Sequence, residues 1–229
     1  MFLSGYGPVL LAGTWVTIKL ALLSLAVAIA LGLLGAWAKL SAYWGARIVA
    51  TAYTTLIRGV PDLVLMLLIF FSLQIWLNNL TDLLGFNAIN IDPFGAGVVT
   101  LGFIYGAYFA ETFRGAFMAV PHGQIEAATA YGLRESQIFR RILFPQMMRH
   151  ALPGIGNNWQ VLLKSTALVS LIGLSDLVKV AQDAGNVTFQ VFLFISITGL
   201  IYLALTTISN GVLYYLDRRY SVGVREVSL

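Results

Sequence analysis

Apolar residues gather along this chain in five long blocks, roughly 9–38, 54–77, 93–113, 151–175 and 189–216. Short polar stretches separate them, apart from one long polar insert between the third and fourth. Crossing the hydrocarbon core of a membrane takes about 20 mostly apolar residues at about 1.5 Å of rise each. The pattern therefore predicts an all-α integral membrane bundle of about five transmembrane helices, a single domain over residues 1–229. The blocks recur along the whole length, unlike the one short apolar stretch of a cleaved signal peptide. The first block is longer than a bilayer requires; Lys19, about three turns in, can snorkel outward while residues 20–38 cross the core. The second begins at a break. Pro61 lacks an amide proton and disfavours helix at Val60, so residues 46–58 are expected as a separate elbow lying along the inner surface. Small residues four apart, Ala28, Gly32 and Ala36 in the first block and Gly102, Gly106 and Ala110 in the third, predict faces where helices pack closely.

Composition sharpens this picture. The chain is 59% hydrophobic and 10% charged, with a mean hydropathy of +0.83, whereas soluble domains run near ~45–50% apolar and ~25% charged. It has no cysteine and two histidines, His122 and His150. A disulfide framework and a thiolate metal site are excluded, and no metal site is expected. The net charge of +4 and pI of 9.4 do not point to nucleic acid, because the basic residues are segregated. With the N-terminus outside, Lys39, Arg47, Arg58, Arg114, Arg134, Arg140, Arg141, Arg149, Arg218, Arg219 and Arg225 all fall on one side. Lys19 and Lys164 lie inside spans and Lys179 alone sits in an outer loop. Basic loops stay in the cytoplasm, so the C-terminus is expected there. The outer loop 78–92 agrees, carrying Asp82 and Asp92 and no basic residue.

The insert 114–150 carries the most information. Residues 121–132, Pro-His-Gly-Gln-Ile-Glu-Ala-Ala-Thr-Ala-Tyr-Gly, read as a short helix opened by a Pro/Gly turn and closed by Gly132, which adopts the left-handed conformation cheaply. A second helix is expected from a Ser136 cap toward Pro145, with Arg140, Arg141 and Arg149 at the anionic inner surface. A plain connection in a bundle runs about 2–8 residues, and longer ones tend to be functional.

Several polar residues fall inside the spans. Asn157, Gln160 and Lys164 are spaced three and four apart and share one helix face. A charge at mid-bilayer costs about 2.5–3.5 kcal/mol even on lenient scales, so that face should meet a partner helix or a wet path. Two readings stay open for it: a translocation pathway, or hydrogen bonding within the bundle. Glu111 and Arg114, three apart, are expected to form a local ion pair with a structural role. Asp62 either pairs with Arg58 or attracts a cationic substrate.

The run Glu126-Ala127-Ala128, then Gly132, Ile142 and Pro145, resembles the EAA loop of permease subunits in binding-protein-dependent ABC importers. Arg58-Gly59-Val60-Pro61 resembles the Arg-Gly-Thr-Pro element of polar amino-acid permeases. Tyr105-Gly106-Ala107-Tyr108-Phe109-Ala110-Glu111 resembles their third span, and Lys164-Ser165-Thr166-Ala167-Leu168 their fourth, although the acidic residue frequent at Ser165 is missing. The resemblance covers nearly the whole chain and is greatest to permeases for histidine and for lysine, arginine and ornithine. It implies a type I ABC importer permease fold in a bacterial inner membrane, with the N-terminus periplasmic. Gln124, Glu126, Ala127, Ala128 and Gly132 would couple to an ATPase, the two alanines keeping the docked face flat. Arg58, Pro61 and Pro145 would be structural. The implied partners are an ATPase dimer carrying ATP and magnesium, a second homologous permease subunit, a periplasmic amino-acid-binding protein, lipid and the amino acid. This chain would itself bind no cofactor or nucleic acid and do no chemistry. A stand-alone secondary transporter or channel would leave the loop unexplained, and such folds often show internal repeats, none of which is evident.

Overall fold

The computed structural model describes residues 5–85, 87 and 90–220; Arg225 and positions 86, 88 and 89 of the 78–92 loop lie outside them. Among the described residues nine α-helices follow one another: α1 (Gly7–Leu40), α2 (Trp44–Gly59), α3 (Asp62–Leu83), α4 (Pro93–Met118), α5 (His122–Ala130), α6 (Glu135–Ile138), α7 (Phe144–Ser165), α8 (Leu177–Thr188) and α9 (Val191–Tyr220). A π turn, Phe139–Leu143, joins α6 to α7, and a 3-10 segment, Thr166–Ile172, continues α7. Four helices among the described residues are long and apolar enough to cross a membrane: α1, α3, α4 and α9. A fifth crossing forms if the helix over Glu135–Ile172 and α8, which bend by 55° at their junction, count as one broken span.

The core is built on α1 and α4, which run parallel. Their small residues meet as the four-residue spacing predicts. A Cβ added at Gly32 would lie 2.5 Å from the Phe109 Cβ, and one at Gly102 would lie 2.5 Å from the Val27 side chain. Ala28, Ala36, Ala107 and Phe109 are fully buried there. Lipid tails are as apolar as leucine, so helices associate through such backbone proximity and dispersion rather than through expulsion of water. Antiparallel α7 packs on α4, with Gly154 against Thr112 and the Asn158 amide donating to Thr112 Oγ1 at 3.0 Å. Helix α9 packs on α7 and α8, while α3 and α9 otherwise turn large apolar side chains outward. A second small core joins Leu10, Leu177, Ala181, Ala184 and Phe194 at the α8 end of α1.

Three expectations need correction. Residues 46–58 do form their own helix, broken from α3 at Pro61, but α2 does not simply lie along a surface. The Tyr53 hydroxyl donates to the Phe103 carbonyl at 2.5 Å, well inside α4, because Gly106 leaves room for the ring's oxygen. The second span accordingly starts anew at Asp62 rather than at 54. Next, the stretch 176–188 is no plain loop. Asp176 caps α8 by accepting from Lys179 N at 2.9 Å, and Lys179 pairs with Asp183 one turn on. Finally, the helix after Gly132 does not stop near Pro145. It runs on into α7, because the wide π turn moves the preceding carbonyls out of the way of the proline ring; Phe144 N bonds Phe139 O five residues back.

Gly32→Val is expected to destabilise the fold by about 1–3 kcal/mol, the usual cost of overpacking. Gly211→Ala, where a Cβ meets nothing within 4 Å, should be neutral. Apparent melting temperatures in detergent, followed by size-exclusion of heated samples, separate the two.

Candidate functional site

The exposed loop comes first. Pro121 stands at the N-cap of α5. The helix ends at Gly132, whose φ of +73° turns the chain left-handed. Leu133 N then bonds Ala128 O at 3.1 Å and Gly132 N bonds Thr129 O at 2.9 Å, the paired bonds of a Schellman stop. The chain re-enters helix at Arg134, not at Ser136. Residue 134 takes the extended cap conformation, and the Gln137 side chain accepts from its backbone N–H at 2.9 Å. Gln124, Glu126, Ala127 and Gly132 are exposed, and Tyr131 presents 87% of its surface. Ala128 is the exception. It is 4% exposed and faces back into the chain, so the flat outer face expected of two alanines belongs to Ala127 alone. Gln124 is also tied inward, accepting from Gln146 near the start of α7.

One turn inside the bundle from this loop, Glu111 binds three elements together. Arg114 donates to Glu111 Oε2 from Nε at 3.0 Å, the local pair the spacing predicts. The other cation comes from 72 positions away, beyond the reach of any local spacing. Lys39, from the last turn of α1, bonds Glu111 Oε1 and donates to Thr54 Oγ1 of α2 at 2.8 Å. The Lys39 and Glu111 side chains are 12% and 18% exposed. One carboxylate thus holds the same ends of α1, α2 and α4 in register.

Deeper in, Asp62 and Arg58 do not pair. Asp62 Oδ2 accepts the Tyr105 hydroxyl at 2.7 Å, and the Arg58 guanidinium lies over the Tyr108 ring, 5.5 Å from its centroid. The break at Pro61 points the two side chains along different turns, and α4 offers each of them a tyrosine. Ser165 Oγ lies 2.6 Å from the same Tyr105 oxygen. Nothing in the residue spacing could have placed Tyr105 against both, since the two contacts span 43 and 60 positions.

The stripe on α7 is partly assembled as expected. Asn157 and Gln160 line a cleft of about 430 Å³ between α7 and α9, with Asn210, Tyr214 and Asp217 opposite; Gln160 donates to Asn210. Lys164 belongs to a separate hollow of about 270 Å³ with Thr198 and Tyr202, and it has no carboxylate partner among the described residues. Asp62 is not part of this stripe. Among the described residues, no three His, Cys, Asp or Glu side chains gather as metal ligands.

The profile of the binding-protein-dependent transport system inner membrane component family matches residues 28–222. The histidine/lysine/arginine/ornithine transport system permease protein HisQ of Escherichia coli is 61% identical over 227 residues, covering 99% of this chain and 100% of that protein. The octopine transport system permease protein OccQ of Rhizobium radiobacter is 36% identical, covering 96% of this chain and 94% of its own length. Among solved structures, an amino acid ABC transporter crystallised with histidines superposes with a TM-score of 0.78 at 34% identity, over 93% of this chain and 95% of that one. The MetNI methionine transporter, at 19% identity and a TM-score of 0.68 over 97% of this chain and 99% of that one, shares the fold.

Glu111→Gln leaves Lys39 and Arg114 facing a neutral amide. Removing one partner of a largely buried pair costs about 3 kcal/mol, so the variant should melt well below Arg114→Gln, which leaves the Lys39 bond intact. Thermal unfolding of both variants in one detergent measures the difference.

Proposed function

This chain belongs to the binding-protein-dependent transport system inner membrane component family, and on that footing we propose that it imports basic and polar amino acids as one permease subunit of an ABC transporter. The cargo is histidine, lysine, arginine or ornithine, in keeping with relatives above 60% identity named for those substrates. The observation that carries the mechanism is the exposed α5, joined by one short turn to a helix that runs unbroken from Glu135 to Ile172. Residues 114–150 form the coupling loop. A cytoplasmic ATPase dimer receives α5, with Gln124, Glu126, Ala127 and Tyr131 on the docked side and Gly132 setting the turn. ATP and magnesium bind to that ATPase and no cofactor binds to this chain.

The clustering of arginines at the α5 end supports a cytoplasmic C-terminus and a periplasmic N-terminus in a bacterial inner membrane. A homologous second permease covers the outward-facing apolar sides of α3 and α9 together with lipid, and a periplasmic binding protein delivers the amino acid at the other end. ATP-driven closure of the ATPase pushes α5, and the spans switch between two discrete packings. Asn157, Gln160 and Lys164 face the path.

Co-expression with the partner subunits should yield a stable complex that takes up labelled histidine and arginine into proteoliposomes only when ATP and binding protein are supplied. Glu126→Arg should cut that uptake at least about tenfold, as expected where like charge opposes docking. Uptake by this chain alone would overturn the proposal.

A further inference from the structure

Two of the spans are discontinuous, and both discontinuities meet at one hydroxyl. Asp62 is the first residue of α3, immediately beyond the Gly59–Pro61 break. Ser165 is the last residue of α7, where the helix tightens into its 3-10 continuation. Tyr105, 1% exposed in the middle of α4, contacts both. A phenol has one proton. Tyr105 gives it to the Asp62 carboxylate, so the Ser165 hydroxyl must donate to the Tyr105 oxygen, and the chain of bonds runs Ser165 to Tyr105 to Asp62. The far side of the same break is held too. Arg58, in the last turn of α2, lies over Tyr108, whose ring stacks on Tyr105 with centroids 5.6 Å apart.

The other end of this arrangement lies at the coupling loop. From Glu135 to Ser165 the helix is continuous through its π turn, about 45 Å at 1.5 Å per residue. A displacement of α5 is therefore carried toward Ser165 along one continuous helix, in which the π turn and Pro153 are the points of give. Mid-helix 3-10 stretches and π turns mark places where a helix can shift, and a hydrogen-bonded pair between two such places is either made or broken, not stretched.

We propose that Ser165, Tyr105 and Asp62 form a latch that couples displacement of the α6–α7 rod to the broken start of α3, with Asp62 acting as a positioning residue and not as a ligand of the cationic substrate. The inference rests on the importer reading above. In the described state the latch is closed. Movement of α7 draws Ser165 away, frees Tyr105 and lets the α2–α3 break reopen against α4.

The test uses the complete transporter with its partner subunits, in proteoliposomes, and reads ATP hydrolysed per amino acid imported. Tyr105→Phe, Ser165→Ala and Asp62→Leu should each raise that ratio about fivefold, the scale of one lost hydrogen bond. Asp62→Asn, which still accepts from Tyr105, should return to within about twofold of the parent ratio and keep the parent preference between lysine and histidine. The absence of native cysteine permits spin labels at Leu63→Cys and Leu171→Cys. Pulsed EPR should show an ATP-dependent distance change in the parent that Ser165→Ala or Tyr105→Phe abolishes. If Tyr105→Phe fails to assemble, Ser165→Ala carries both readouts. Parent-like coupling in Tyr105→Phe or Ser165→Ala overturns the latch, as does a changed preference between lysine and histidine in Asp62→Asn. A parent complex that does not transport overturns the importer reading instead.

Discussion

The close approach of α1 and α4 is the constraint on which the rest depends. Backbones come near enough for the Phe109 Cβ to occupy the place a side chain would need at Gly32. That proximity fixes the relative height of the two helices to within a fraction of a turn, since Val27, Leu31 and Phe109 each fill a gap left by one small residue. Two polar attachments then inherit this register. At one level Lys39 and Glu111 meet, with Thr54 drawn in from α2. Nearly two turns away along α4, Tyr105 meets Asp62 and Ser165. Were α1 and α4 to slip by one residue, the Lys39–Glu111 contact would be displaced, leaving α2 held to α4 through Tyr53 on the Phe103 carbonyl and Arg58 over Tyr108.

Around that pair the structure is graded. The sides of α3 and α9 away from the core carry little of its packing and much exposed apolar surface, as suits elements that meet lipid or a neighbouring subunit. The exposed loop is anchored differently. It is held by a proline start, a left-handed glycine and a glutamine-capped restart, all local devices that need no core. Such a segment keeps its shape while its outer face stays free, which is what a docking element requires. Behind it one helix runs on from Glu135 to Ile172, with the π turn at Phe139–Leu143 and Pro153 as its points of give, and joins a locally stabilised knob to the polar interior.

Much of this was legible from residue patterns, for definite reasons. Four crossings, and a fifth where the bent pair counts as one broken span, follow from hydropathy, because lipid allows few alternatives. The α1 and α4 faces follow from four-residue spacing of small side chains, and the Gly132 stop from glycine's access to positive φ. Two features are not legible there. Pro145 does not stop its helix, because a π turn carries the chain through the proline, and no sequence signal marks one. Of the two readings open for Asp62, pairing with Arg58 rests only on nearness in sequence and opposite charge, and the structure does not form it. Their true partners, Tyr108 and Tyr105, lie on another helix, and contacts across more than 40 positions leave no local periodicity. Lys39 was missed likewise: read as a loop charge, it is a largely buried tie between three helices. Ala128 shows the limit of composition within a motif, since two adjacent alanines on a helix point about 100° apart.

The parallel α1–α4 contact also bears on how the protein is made. Its two halves are far apart in the chain, with the α2–α3 crossing between them. Phe109 leaves the ribosome roughly 75 residues after Gly32, a delay of about 4–15 s at ordinary synthesis rates. For that interval α1 waits in the bilayer with its packing groove unfilled. That groove of glycine and alanine admits close approach only to a helix whose side chains match it, as Phe109 matches Gly32, so the pairing is completed when α4 arrives.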